Sequence, residues 1–135
     1  MSLGSLGVVE EWLSAVNRGD VQRVEELSAE DIEIAGPRGS ARGRQVLVEW
    51  LARAGFTAQA LRWFCGANGT VVVEQEARWA DAESGAELGR AHVASQLVVS
   101  DGGVAYYQRH ESLAQALTAA GLDPTTEVFL RSCAS

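Results

Sequence analysis

Before Gly55 the apolar residues of this chain recur at the helical spacing, and after it they alternate. That switch constrains the fold more than any other feature, because alternate side chains of a strand point to opposite faces while a helix groups every third and fourth. Four alternating stretches follow in succession, at 56–66, 70–80, 88–100 and 104–111. Asn68-Gly69 and Asp101-Gly102 lie between two of these pairs of stretches. Such dipeptides take the left-handed backbone of tight hairpins, so consecutive strands are expected to pair antiparallel.

Upstream, Val9, Trp12, Leu13 and Val16 form one helical stripe that ends near Asn17-Arg18-Gly19. Asp20 has the chemistry of an N-cap for a short helix carrying Val21, Val24 and Leu27. Asp31-Ile32-Glu33-Ile34 alternates as a strand, and Gly36-Pro37-Arg38-Gly39-Ser40 reads as the loop that stops it. A third helix over 43–54 presents Val46, Leu47, Trp50 and Leu51. Ser112 caps a last helix through Leu113, Ala116, Leu117 and Ala120, which ends at Gly121 ahead of Pro124. Helices followed by a meander predict an α+β fold with the helices on one face of the sheet.

The length of 135 residues suits one domain, and 47% hydrophobic residues suffice for a core. The expected organisation is a single domain over 1–135, with a core at 8–111, a C-terminal helix at 112–121 and a flexible tail at 122–135. A net charge of -7, with no run of cations, argues against a nucleic-acid partner. Every cation is Arg, which reads as the codon bias of a GC-rich bacterial genome more readily than as a functional choice. No apolar run approaches the roughly 20 residues of a membrane span. The N-terminal Met1-Ser2-Leu3-Gly4-Ser5-Leu6 lacks the pattern of a secretory signal, so a cytoplasmic location is expected. Cys65 and Cys133 have neither paired spacing nor a His cluster, so no disulfide framework, metal or cofactor is expected. Cys65 reads as a small core residue and Cys133 lies in the tail.

Val71, Val73, Gln75, Ala77 and Trp79 share one strand face, and Ala91, Val93, Ser95, Leu97 and Val99 share the apolar face of the next. Gln75 and Ser95 are therefore polar groups turned inward. They bond to each other or to buried water, or they meet a ligand. Hairpin geometry alone leaves the last strand open. A two-residue Asp101-Gly102 turn puts Tyr106, Gln108 and His110 inside, whereas a longer turn or a bulge puts Tyr107 and Arg109 there. The face of strand 56–66 that looks inward is open too.

The segment Val8-Val9-Glu10-Glu11-Trp12-Leu13-Ser14-Ala15-Val16-Asn17-Arg18-Gly19-Asp20 resembles the opening of nuclear transport factor 2-like proteins, most closely their SnoaL-like branch. The resemblance runs on through Asp31-Ile32-Glu33-Ile34, Gly43-Arg44 and the Asp101-Gly102-Gly103-Val104 hairpin, covering most of 8–111. It rests on the order of elements and implies a cystatin-like cone. In that cone a curved, mixed, largely antiparallel sheet wraps helices around one internal pocket and dimerises through its outer face. It also favours Tyr107 and Arg109 inside.

The family's chemistries need residues that this chain lacks. Positions matching the ketosteroid isomerase site are Trp12, Ser95 and Gly36, which provide neither its oxyanion pair nor its proton-moving aspartate. Positions matching the limonene epoxide hydrolase site are Gln75, Ala77 and Arg109, so both acids are missing. For the acid of polyketide cyclases, the nearby carboxylate is Glu111.

What the resemblance implies instead is a lining of Trp12, Trp50, Gln75, Trp79, Ser95, Tyr107 and Arg109 for a small apolar or aromatic, anionic molecule. Trp12 and Trp50 also suit plain core packing, and Trp79 a pocket rim or a dimer contact. An inward Arg109 needs Glu33, Glu10, solvent at the cone mouth or an anionic ligand to meet its charge. His92 and His110 are expected on the outer face. Two alternatives stand beside the binding role: an isomerase or cyclase with other catalytic residues, and a non-catalytic homodimeric interaction domain using Trp63 or Phe64 with His92.

Overall fold

The computed structural model describes residues 5–36, 39–54, 56–81 and 83–128. Its elements are α1 (Ser5–Arg18), α2 (Val21–Glu26), β1 (Ser28–Gly36), β2 (Gly39–Arg42), α3 (Arg44–Ala54), β3 (Phe56–Cys65), β4 (Thr70–Ala80), β5 (Glu87–Ser100), β6 (Gly103–His110), α4 (Leu113–Ala120), a turn of 3-10 helix at Pro124–Thr126 and β7 (Glu127–Val128). The strands form one sheet in the order β2-β1-β6-β5-β4-β3-β7. All neighbours are antiparallel except β1 and β6, which run parallel.

Local chemistry explains the boundaries. Asp20 accepts a hydrogen bond from the Arg23 amide and starts α2, as Ser112 does from Gln115 for α4. Gly121 closes α4 in the left-handed conformation, with φ 72°. Asp101 and Gly102 both have positive φ, and Ser100 pairs with Gly103, so the β5–β6 turn is the two-residue type. The register then slips: Val99 faces Val104 while Val98 faces Tyr106, leaving Ala105 as an extra residue. Turn and bulge thus occur together. The bulge returns Tyr107 to the face of Leu97, its cross-strand partner.

A second slip between Ala60 and Arg62 does the same for β3. Ala58 lies inside before it, and Trp63 and Cys65 lie inside after it, opposite Val73 and Val71. The main core forms where α1, α2 and α3 lie on this inner face and bury Val9, Trp12, Val24, Leu47, Val73 and Leu97 among others.

The structure departs from the expectations at several points. The helices do not all share one face: α4 covers the other side of the sheet, where Phe64, Val72 and Ala94 pack against Ala116 and Leu117. Phe64 is therefore buried beneath a helix, and Trp63 points into the main core. Burying a side chain the size of Leu or Phe contributes about 1.5–3 kcal/mol, which explains why α4 docks there. The loop expected at 36–40 is shorter, since Gly39 and Ser40 already belong to β2; Pro37 and Arg38 lie outside the described residues. In the expected tail, residues 124–128 form the 3-10 turn and β7, whose Glu127 and Val128 pair with Phe64 and Trp63. Cys133 lies outside the described residues. Among the described residues no helix is long and apolar enough to cross a membrane.

Candidate functional site

The residues expected to line a pocket separate into two groups. Trp12, Gln75, Ser95 and Tyr107 form a buried cluster with relative exposures of 0, 1, 0 and 3%. Trp12 comes from the apolar stripe of α1, and the other three come from the inner faces of β4, β5 and β6. The Ser95 hydroxyl donates to Gln75 Oε1 at 2.5 Å and lies 3.4 Å from the Tyr107 hydroxyl. The rings of Trp12 and Tyr107 are 5.3 Å apart at 34°. Burial pushes the Tyr107 phenol up, opposed by the bond to Ser95 and the charge of Arg109, so it is protonated at neutral pH.

The indole N–H of Trp12 donates to Ser28 Oγ at 2.9 Å, and that hydroxyl donates in turn to the Val24 carbonyl at 2.6 Å. Ser28 was not singled out from the sequence. It is a small hydroxyl at the start of a strand, and only the packing of α1 against it reveals its use. Arg44 adds two bonds to the Ser28 carbonyl at 3.1 and 2.8 Å, tying α3 to the same point.

Trp79 and Arg109 form the second group. The Arg109 guanidinium carbon lies 5.0 Å from the centroid of the Trp79 ring. On β5, the partner of Arg109 is Ser95 and that of Trp79 is Gly89. Six residues along a flat strand span roughly 20 Å, so the contact requires the sheet to curl. Gly89 adjoins the ring; a β-carbon built there stands 3.8 Å from Trp79 Cε3.

Trp79 and Arg109 line a hollow of about 360 Å³ together with Ala91, Val93, Gln108, His110, Glu111 and Gln115. Ala91 and Val93 supply an apolar wall on the inner face of β5. Val93 stands beside Gln75 and Arg109 beside Ser95, so the buried cluster adjoins the hollow. Arg109 shares the inner face with Tyr107 and is exposed there. It lies two residues further along β6, past the last residue that β1 pairs, Gln108. Of the acids expected to reach it, Glu33 is hydrogen-bonded to Arg42 at 3.0 Å, and Glu10 is exposed on α1.

His110 and Glu111 also border the hollow, although strand alternation assigns His110 to the outer face. His110 does alternate with Arg109, and its Nε2 lies 3.0 Å from Gln96 Oε1. It reaches the hollow because β6 ends there. Partial burial holds its imidazole below the ordinary value. His92 is on the outer face, 3.0 Å from Glu74. Trp50 is in α3, but its side chain lies outside the described residues. A further hollow of about 300 Å³ is bordered by Asn17, Thr57, Ala58, Gln59, Glu76 and Arg78. There the Asn17 amide is spent on the backbone N–H and carbonyl of Ala58, at 2.9 and 2.8 Å.

The arrangement resembles known proteins. A nuclear transport factor 2-like protein of unknown function from Cytophaga hutchinsonii superposes with a TM-score of 0.71 at 13% identity, over 85% of this chain and 96% of that one. An epoxide hydrolase of M. tuberculosis, similar to limonene epoxide hydrolase, gives 0.69 at 16% identity, over 86 and 88%. The epoxide hydrolase/cyclase-like enzyme SalBIII, of pyran ring formation in the polyether salinomycin, gives 0.71 at 18% identity, over 82 and 92%. At these identities the likeness establishes the fold. No curated protein matches the chain. In sequence, residues 9–107 match the SnoaL-like domain, a stretch running from the α1 stripe to Tyr107. With that match and the nuclear transport factor 2-like fold, the chain belongs to the SnoaL-like domain family.

Proposed function

We propose that this protein binds a small aromatic or apolar molecule bearing an anionic group in the hollow at Trp79 and Arg109. The contact of Arg109 with Trp79 carries this reading. The indole attracts the guanidinium and holds it at the hollow, where its planar N–H fork suits two parallel bonds to a carboxylate. Ala91 and Val93 offer the apolar surface that the rest of the ligand covers. The cluster of Trp12, Gln75, Ser95 and Tyr107 adjoins this wall on the same face and is closed to solvent. The test is a titration of 3-phenylpropionate into wild type and Arg109→Ala. Binding that weakens at least tenfold in the variant supports the role, and equal binding removes Arg109 as the anion anchor.

A second reading has one specific observation behind it: Glu111 and His110 line the same hollow as Arg109. A carboxylate and an imidazole beside an anion-binding arginine are the groups a proton-transferring isomerase or cyclase uses. SalBIII and the M. tuberculosis epoxide hydrolase share this fold. A homodimer would use the part of the outer face that carries Gln96, Tyr106, Gln108 and His110, where β5 and β6 pair beyond the Phe64 patch. Sedimentation at micromolar concentration tests it: a dimer supports this contact, a monomer removes it.

A further inference from the structure

We propose that the ligand is an aromatic α-amino acid, whose carboxylate meets Arg109 and whose ammonium meets Glu111. This inference rests on the binding role argued for the hollow and names the ligand class. It starts from the polar lining, which is not uniformly cationic.

The side-chain oxygen of Gln115 accepts from the Glu111 amide at 3.2 Å, which leaves the Gln115 amide N–H groups as its remaining polar function. Those donors and the guanidinium favour a carboxylate. Glu111 in the same lining does the opposite. A ligand that is only an anion meets repulsion from Glu111, whereas one that also carries an ammonium group turns that repulsion into attraction.

Placement favours an α-amino acid. Arg109 is next to last in β6 and Glu111 follows its last residue, so a cation and an anion line the hollow at one end of the strand, where one zwitterion can address both. The indole of Trp79 lies between Gly89 and Arg109, so the ligand's ring leans on Ala91 and Val93.

The experiment titrates three probes, L-phenylalanine, 3-phenylpropionate and phenethylamine, into the full chain and into Glu111→Gln, with heat or amide chemical shifts as the readout. Glu111 is exposed just past the end of β6, so this substitution leaves the packed interior untouched. Wild type should bind phenylalanine more tightly than either single-charge probe. In E111Q, phenylalanine should weaken and 3-phenylpropionate tighten, each by on the order of threefold to tenfold at this exposure. Unchanged affinities in E111Q, with 3-phenylpropionate still bound through Arg109, overturn the amino-acid assignment and leave the binding role standing. If wild type binds neither phenylalanine nor 3-phenylpropionate, the assignment and the binding role both fail.

Discussion

Arg109 lies over the indole of Trp79, 5.0 Å from the ring centroid, although β5 runs between the strands that carry them. The contact joins a local property to a global one. Each residue is on the inner face through the alternation of its own strand, and the two meet because the sheet curls over β5. Trp79 thus acts as the support that orients Arg109.

The first prediction concerns that support. A cation over an aromatic ring is worth about 0.5–1 kcal/mol at an exposed site. Trp79→Ala should therefore weaken 3-phenylpropionate binding by roughly twofold to fivefold, and Trp79→Phe by less. Arg109→Lys should weaken it more than Trp79→Ala, because lysine keeps the charge and loses the planar fork. Calorimetric titration of the three variants checks the order.

Stability of the buried cluster gives the second. Ser95→Ala leaves the Gln75 oxygen buried without its donor, at a cost of about 1–3 kcal/mol. Changing Gln75→Leu in the same chain removes the orphaned acceptor, so the double variant should lose less than the sum of the two single losses. Urea unfolding of the four proteins measures the coupling.

Gly69 gives the third. Its φ of 78° is left-handed, and a β-carbon there would stand 2.2 Å from the Val99 carbonyl oxygen. Gly69 O also accepts from the Val99 amide at 2.9 Å, which fixes the β3–β4 turn against the end of β5. Gly69→Ala should cost more than the roughly 1–2 kcal/mol of left-handed strain alone. A melting temperature within 1 °C of wild type, ~0.2 kcal/mol by the usual scaling, would contradict this.

Acid should destabilise the protein, and part of the loss should trace to His110. Burial lowers its folded-state pKa below the ordinary 6.5, so between those two values the unfolded chain binds more protons. Stability therefore falls as pH drops through that window. The lowered carboxyls of Asp81, held by the Glu83 and Ser84 amides, and of Glu127, held by Arg62, act at more acidic pH. Their stabilisation is present above the unfolded carboxylate pKa and is lost as pH falls through the folded values. In His110→Gln the slope just below 6.5 should flatten while the more acidic slope remains; unfolding at a series of pH values reads both.

Much of this architecture was legible in the residues. Asp20, Ser112 and Gly121 mark helix ends by chemistry confined to one turn, and the alternation of Val71, Val73, Gln75 and Ala77 gives the inner face of β4 directly. The mutual bond of Gln75 and Ser95 was one of the two readings open for them. Other features depend on distant contacts. Ala105 as a bulge is invisible beside an Asp101-Gly102 pair that already makes a complete turn, so the facing of Tyr107 came from family likeness. The stripe on α4 says that the helix is covered but not on which side of the sheet; the apolar Val72 and Phe64 on the outer alternation were the available signal. Period two assigns Arg109 a face and says nothing of depth, which is set by where β1 stops pairing with β6.

The account's central claim is that a ligand sits at Trp79 and Arg109. It is tested most directly by mapping amide and indole chemical shifts of the full chain during titration with 3-phenylpropionate. The predicted result is a saturable shift of the Trp79 indole N–H and of the Gln115 side-chain amide, with the Trp12 indole, bonded to Ser28, nearly unmoved. Saturable shifts centred on Trp12, with Trp79 unaffected, would contradict it.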